Sequence, residues 1–416
     1  MKFSMAVFKD QNSSRLFVGQ FISQICDKMM TLGLVWVISQ EQSIQMIPWF
    51  LAIGALPHLL LAGIGGKLVQ RIGVLRTLIH TDVLRGIIFL LVGLLWLAYF
   101  KHHSLTTLFI LTFVSNLLGA LFNIAVFTLP GLMPKKELVP QLTAMVDSCF
   151  SLGTVVGPAI SALLYPWLGL SGLLVLNGLS YLLAAGLEGG IRLDPADPET
   201  VPETVPETVP ETVESEPANA DMAPAIPGRS MFADPLIRFM LSAFFLMNLA
   251  LTPLMALLPL FVQTRFAGNL AMLAAFEVSI GMGMVAGSLL LSVAEFPLKR
   301  GKRAIAGLSA VSLLYLFFGL NHNPVLACLA LAGLGLALAV VNVSLLTLFQ
   351  SRPAPADVPV VMSWVNTISI GALPISMLMV GSLIEKIDLT KMTICLALGL
   401  LTISLATAFY REFREI

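Results

Sequence analysis

Charged side chains are scarce in this chain. Asp, Glu, Lys and Arg together make up 12% of the 416 residues, against roughly a quarter in ordinary soluble domains. Hydrophobic residues make up 57%, and the mean hydropathy is +0.89. A soluble globule of this length cannot hide that much apolar surface, so the composition predicts a polytopic helical membrane protein.

Neither sign of charge is in excess, because 24 Lys and Arg balance 24 Asp and Glu. This balance gives no indication of a nucleic-acid partner. The four cysteines lie inside apolar runs, where free buried thiols are typical: Cys26, Cys149, Cys328 and Cys395.

Nucleotide and metal motifs are also missing. The segments "GGKL" and "RGKR" lack the leading glycine and the Ser or Thr of a phosphate-binding loop, and the five histidines lack metal-site spacing. We therefore expect no enzymatic activity, no cofactor and no bound metal.

Apolar runs of about 20 residues recur along the chain, each long enough to cross about 30 Å of hydrocarbon as a helix. They predict twelve spans, near 15–38, 45–66, 76–99, 105–129, 139–164, 170–190, 236–262, 270–294, 303–320, 324–349, 358–383 and 390–410. The repeat "PETVPETVPETVPETV", 198–213, divides them six and six and predicts a disordered connector. The expected domains are 1–190, a linker at 191–235, and 236–416.

Lys and Arg are distributed unevenly between the two sets of connections. The set that includes both termini carries fifteen, and the other set carries four. Since cytoplasmic loops carry the excess of Lys and Arg, both termini and the linker are predicted to be cytoplasmic, in a multi-pass protein of the cell (inner) membrane.

The two halves share residues at an offset of 219. Asn123, Thr128, Pro134, Val139 and Pro140 recur as Asn342, Thr347, Pro353, Val358 and Pro359, and Asp147 falls on Asn366. This pattern indicates a parallel duplication, in which both copies have the same orientation because six is even. The expected fold is all-α, with twelve transmembrane helices in two pseudo-symmetric six-helix bundles.

The connection between spans 2 and 3, "GGKLVQRIGVLR", is rich in glycine and cations. It resembles the loop of the major facilitator superfamily, G-x-x-x-[DE]-[RK]-x-G-x-[RK]-[RK], through Gly66, Arg71, Gly73 and Arg76. Gln70 and Leu75 depart from that pattern. The resemblance implies a cytoplasmic gating loop, and Gln70 implies a closure that relies on hydrogen bonds more than on charge. A plain topogenic loop is the alternative.

In span 5, "GTVVGP" places Gly153, Gly157 and Pro158 in an arrangement similar to the antiporter motif of exporters in this superfamily. Segments such as "TDVLRG" and "FEVSIGMGMVAGSLL" resemble its macrolide-efflux and enterobactin-exporter branch. Ordinary helix packing is the alternative reading of the glycines. The resemblance implies export.

Four acids in the predicted spans are selected as candidates, because an ionisable group inside a membrane usually faces a cavity or a partner. Asp27 and Glu277 are the main candidates for proton coupling, and Asp82 is a third. Asp82 and Arg85 share a helix face and are also expected to form a structural ion pair, while Asp147 is expected to cap or gate near the cytoplasm. A buried acid bonded to a neighbouring helix is the competing account.

Three asparagines are candidates to line a central cavity, although hydrogen bonds between helices explain them equally well: Asn123, Asn342 and Asn366. The main hypothesis is a proton-coupled exporter of an amphiphilic small molecule or drug, acting by alternating access as a monomer in the lipid bilayer. The first alternative is a siderophore exporter of the same fold. The second is a non-transporting scaffold or receptor that docks partners through the linker.

The predicted topology is testable with reporter fusions. A reporter that is active only in the cytoplasm should be active when it is inserted within residues 198–213. The same reporter should be inactive when it is inserted near residue 102, which is predicted to lie outside. The reverse pattern would contradict the orientation derived from the Lys and Arg distribution.

Overall fold

The computed structural model describes residues 10–40, 45–62, 64–98, 105–133, 139–192, 234–266, 268–293, 298–353 and 358–415. Every regular element within these ranges is a helix. The "PETV" repeat and nearly all of the predicted linker lie outside the described residues.

The first half contains six helices. They are α1 (Gln11–Gln40), α2 (Met46–Leu61), α3 (Gly65–Ile72), α4 (Val74–Ala98), α5 (Leu105–Leu132) and α6 (Val139–Glu188). Helix α6 has 50 residues, about 75 Å at the usual helical rise, which is more than twice the thickness of the hydrocarbon layer. Gly169, with φ 60°, breaks it into two spans.

The second half continues with eight helices. They are α7 (Pro235–Leu251), α8 (Pro253–Arg265), α9 (Leu270–Val293), α10 (Arg300–Leu320), α11 (Pro324–Ser351), α12 (Val358–Leu383), α13 (Leu389–Phe409) and α14 (Arg411–Glu415). Helices α7 and α8 together form one span, interrupted where Pro253 begins the second piece.

Ten described segments are individually long and apolar enough to cross a membrane, and α2 with α3 makes an eleventh as a bent pair. Counting the two parts of α6 separately gives the predicted twelve. Large apolar side chains cover the outside of the bundle, among them Leu97, Leu163 and Trp167, which are 67% to 85% exposed. Such a surface is suited to lipid and not to water.

The structure reproduces the internal duplication at the level of helix bounds. Adding 219 to the first and last residue of α5 gives the first and last residue of α11, and the same offset relates the starts of α6 and α12. Thr128 and Thr347 each donate their hydroxyl to the carbonyl four residues earlier. The two halves therefore share local structure as well as residues.

Capping residues begin several helices of the second half. The side chains of Asp234 and Asn323 accept hydrogen bonds from backbone N–H groups, and each precedes a proline at the first helical position. Asp388 caps α13 in the same way, and the N–H of Thr390 holds the pKa of that exposed carboxyl below its usual range.

Both termini of the described chain and the two residues that flank the undescribed linker lie at one end of the bundle, called here the terminal end. Asn12 bonds the carbonyl of Arg192 in one half, and Lys299 bonds that of Glu415 in the other. Asp234 and Arg352 form an ion pair of 3.7 Å, again within one half.

The two halves meet at mid-depth and at the opposite end. Helix α12 packs on α2, α9 packs on α6, and α8 contacts α1 and α2. Gln263 donates to Ser39 across the halves at 3.1 Å, and Gly381 lies against the indole of Trp49. The bundle is thus closed at the opposite end, while the polar contacts described at the terminal end stay within each half.

Glycines let α9 and α11 approach closely. A Cβ on Gly283 would collide with the carbonyl oxygen of Ala332, and one on Gly335 would collide with that of Ile280. Because membrane helices associate through packing and not through the exclusion of water, such close contacts carry much of the stability of the second half.

Gly283→Ala should destabilise the protein by about 1–3 kcal/mol, the usual effect of overpacking. The measurement is thermal unfolding in detergent. Gly399→Ala is the matched control, because nothing lies within 4 Å of a Cβ at that position in α13. Equal stability of the two variants would contradict the assigned packing.

Candidate functional site

A cavity of about 520 Å³ lies at mid-depth, walled mainly by α1, α2, α4 and α5 and closed on one side by α12. Its wall combines aromatic rings with polar groups. The rings are those of Phe50, Phe89, Phe122 and Phe150. The charged or titratable groups are Asp27, Lys28, His58 and Arg85.

Arg85 of α4 is the central cation of the amino-terminal half. Its guanidinium lies between two rings, 4.4 Å from the centre of Phe122 and 4.2 Å from that of Tyr181. It also forms an ion pair with Asp82 at 2.5 Å, in which both side chains are buried. The spacing of three residues places the two on one helix face, as expected from the sequence.

Asp27 is half-buried in the wall of the cavity. The hydroxyl of Tyr181, on α6, donates to its Oδ1 at 2.7 Å and accepts from Arg85 at 3.2 Å. Tyr181 therefore connects the cavity carboxyl to the Asp82–Arg85 pair behind it. Sequence reasoning selected Asp27, Asp82 and Arg85 but gave no role to Tyr181, because a tyrosine in an apolar run carries no distinctive signal.

Glu188, in the last turn of α6, is a fully buried acid that sequence reasoning missed. Its Oε1 accepts a hydrogen bond from Gln20 of α1 at 2.9 Å. A signal was available, since Glu188 falls within the predicted span 170–190. We refer to Asp27, Asp82, Arg85, Tyr181 and Glu188 as the buried charge cluster.

Lys28 follows Asp27 directly, and both side chains line the cavity. Lys28 also interacts electrostatically with Glu277, a half-buried acid of α9 in the other half. Neighbouring residues on a helix project about 100° apart, so the two side chains reach different groups.

The two glycines of the "GTVVGP" segment pack on the backbone of α1. A Cβ on Gly153 would lie 3.0 Å from the carbonyl oxygen of Gln24, and one on Gly157 would lie 2.6 Å from the Cβ of Lys28. These contacts flank Asp27 on both sides. The close approach of α6 to α1 therefore sets the position of the cavity carboxyl.

The profile of the Major Facilitator Superfamily matches residues 16–373, most of the chain. The chain belongs to the major facilitator superfamily. Membership implies a membrane-embedded secondary transporter of small molecules and non-enzymatic transport. No curated protein matches the chain in sequence at a significant level.

Solved structures of other transporters share the fold. A bacterial homologue of the human lysosomal transporter Spinster, in an inward-facing and occupied conformation, superposes with a TM-score of 0.68 at 12% identity, covering 96% of this chain and 97% of its own. The POT family transporter PepTSo gives 0.67 at 14% identity, covering 96% and 98%. A POT family transporter in complex with a thioalcohol-conjugated peptide gives 0.68 at 12%, covering 96% of each chain.

The gating-loop residues of this transporter lie on or beside α3, which corrects the expected turn to a short helix. Gly73, with φ 93°, separates α3 from α4, a conformation that favours glycine. Gly66 is exposed with nothing within 4 Å of a Cβ, so neither a positive φ nor a close helix contact requires glycine there, whereas its neighbour Gly65 packs on Ile124.

The charged and polar side chains of this loop are exposed: Gln70, Arg71 and Arg76. None of them forms a hydrogen bond or ion pair with another residue that the structure describes. Within the described residues the loop makes no contact that closes this end, in agreement with halves that meet at the opposite end.

The three asparagines that were candidates to line the cavity occupy different positions. Asn123 lines the cavity, but Asn342 and Asn366 are absent from its described wall. Asn342 lies on α11, which packs on α9 and α10 away from the cavity, and Asn366 is exposed one turn nearer the terminal end than the lining residue Ser369. Asp147 is likewise exposed, and within the described ranges it forms no ion pair. Pro158 continues α6 beside Gly157.

No group of three or more His, Cys, Asp or Glu side chains among the described residues is arranged to hold a metal ion. The chemistry that the site offers is therefore that of carboxyl, guanidinium, ammonium and hydroxyl groups around an aromatic cavity.

Gly157→Ala should displace α1 beside Asp27 and reduce transport and thermal stability together, with a loss of about 1–3 kcal/mol. Gly186→Ala is the matched control in the same helix, because a Cβ there meets nothing within 4 Å. Differential scanning fluorimetry measures the effect. Full stability of the Gly157 variant would show that the contact with α1 is not tight.

Proposed function

We propose that the chain is a proton-coupled exporter that moves an amphiphilic small molecule by alternating access. The observation that supports the proposal is the cavity carboxyl of Asp27, which Tyr181 and Arg85 connect to a second carboxyl, Asp82. An acid in a low-dielectric setting that reaches both cargo and a buried cation is suited to proton exchange.

The composition of the cavity wall supports an amphiphilic cargo. Four phenylalanine rings offer an apolar surface, and Asn116 and Asn123 offer hydrogen bonds beside the charged groups. A volume of about 520 Å³ falls within the usual range of small-molecule sites, roughly 300–1,000 Å³. This mixture favours a drug-like molecule over an ion or a sugar.

Coupling requires that proton binding favour one facing state over the other, since a ligand that binds both states equally shifts nothing. Asp27 borders the cavity that α12 of the other half closes, and Glu277 interacts electrostatically with Lys28 across the halves. A change of charge at either acid is therefore expected to stabilise one facing state more than the other. Both residues, with Asp82, are therefore the proposed coupling groups.

Export is supported by the packing of the "GTVVGP" glycines on α1 and by closure at the end opposite the termini. If the termini are cytoplasmic, as the Lys and Arg distribution predicts, this conformation is open toward the cytoplasm and can load cargo there. A siderophore cargo would use the same fold and cavity, and a scaffold role would depend on the linker instead. The monomer already contains the complete cavity.

Asp27→Asn and Glu277→Gln should each reduce pH-driven accumulation of amphiphilic dyes in inverted membrane vesicles roughly tenfold or more, because the coupling charge is lost. An ionophore that collapses the pH gradient should have the same effect on the unmodified protein. Glu385→Gln is the matched control, since that acid is exposed and outside the cavity.

Undiminished uphill accumulation in both Asp27 and Glu277 variants would contradict the coupling mechanism. Deletion of residues 198–213 distinguishes a transporter from the scaffold alternative. A transporter should still transport without the repeat, whereas loss of function with intact folding would favour partner docking. Secreted siderophore measured by mass spectrometry in a deletion strain separates the second cargo.

A further inference from the structure

Glu188 forms no ion pair with any residue that the structure describes. Its Oε1 accepts one hydrogen bond, from Gln20, and its Oε2 is buried without a partner among the described residues. An ionised carboxylate accepts about four hydrogen bonds, and leaving one unmet in an apolar interior is costly. The surroundings of Glu188 therefore suit a neutral carboxyl better than an ionised one.

The second carboxyl of the pair is Asp82, also fully buried. Its Oδ1 binds Arg85 and its Oδ2 has no partner in the described part of the chain. Asp82 and Arg85 are the charged groups of α4 that act on Glu188. From α1, Glu188 meets the uncharged amide of Gln20, while the guanidinium of Arg15 bonds the nearby carbonyl of Gly190.

The cluster holds more acid than base. The cluster contains three carboxyls, those of Asp27, Asp82 and Glu188, and one guanidinium. Arg85 binds Asp82 directly, and Tyr181 connects it to Asp27. Asp27 borders the cavity, which the side chain of Lys28 also lines. Asp82 forms the ion pair with the guanidinium of Arg85. Glu188 is left without a counter-charge, and neutralising it needs a proton.

We propose that Glu188 and Asp82 form a proton-binding site inside the amino-terminal bundle, separate from the cavity, in which Glu188 carries the proton and Asp82 stays paired with Arg85. The site communicates with the cavity through Arg85 and Tyr181, whose hydroxyl contacts both Arg85 and Asp27. The proposal can be tested independently of transport, because proton binding at this site can be measured on the purified protein without cargo.

The test uses the full chain in lipid nanodiscs at neutral pH, with infrared absorption of the protonated-carboxyl C=O stretch as the readout. All variants carry Glu277→Gln, which removes the half-buried acid of α9 in the second half, so that this carboxyl does not contribute to the band. Glu188→Gln should remove the absorbance of one protonated carboxyl, since glutamine keeps an acceptor for Gln20. Glu385→Gln, at an exposed position, is the matched control and should leave the band unchanged.

Asp82→Asn gives a second, opposite substitution. It frees Arg85, which should then pair with Glu188 and convert it to a carboxylate, so the absorbance of one protonated carboxyl should also be lost although Glu188 is intact. An absorbance in either variant that equals that of the Glu277→Gln parent overturns the proposal. If a variant does not fold, the Glu277→Gln parent still decides, because the absence of any protonated carboxyl there overturns the proposal directly. Failed transport with an intact band would instead count against the proposed function alone.

Discussion

The guanidinium of Arg85 organises the interior of the amino-terminal half. It projects from α4, lies between rings of α5 and α6, and pairs with Asp82 on its own helix. Removing a partner from a buried ion pair leaves an uncompensated charge, an effect of about 3–5 kcal/mol. The position of Tyr181, and through it the orientation of Asp27 in the cavity, depends on this cation remaining in place.

Close backbone contact complements that charge. In the first half, Gly153 and Gly157 bring α6 against the segment of α1 that carries Asp27. In the second half, Gly283 and Gly335 bring α9 and α11 together without any charged group between them. The duplicated halves therefore differ in their interiors. The first half contains the buried charge cluster. The second half offers a largely apolar surface against which the first can move, and its acid Glu277 interacts electrostatically with Lys28.

Individual residues of the site differ in how far their positions could be predicted from the sequence. Asp82 and Arg85 were predictable as a pair because three residues on a helix return the side chains to one face. Glu188 was missed although it lies inside a predicted span, because its partner Gln20 is 168 positions away in sequence. Asn342 was a candidate for the cavity as a polar residue of a predicted span, with a hydrogen bond between helices as the alternative, and the packing of α11 on α9 and α10 places it away from the cavity.

Hydropathy alone determined the class of protein and the approximate number of spans, because a membrane requires long apolar helices whatever their arrangement. The duplication was indicated by residue matches at an offset of 219. The narrower branch, cargo and coupling residues stay predictions. Only the tertiary structure decided that Asp27 and Lys28 both line the cavity, that α6 continues through two spans, and that Tyr181 connects Arg85 to Asp27. Those outcomes depend on which helices touch, and contacts between residues far apart in the chain leave no local pattern in the sequence.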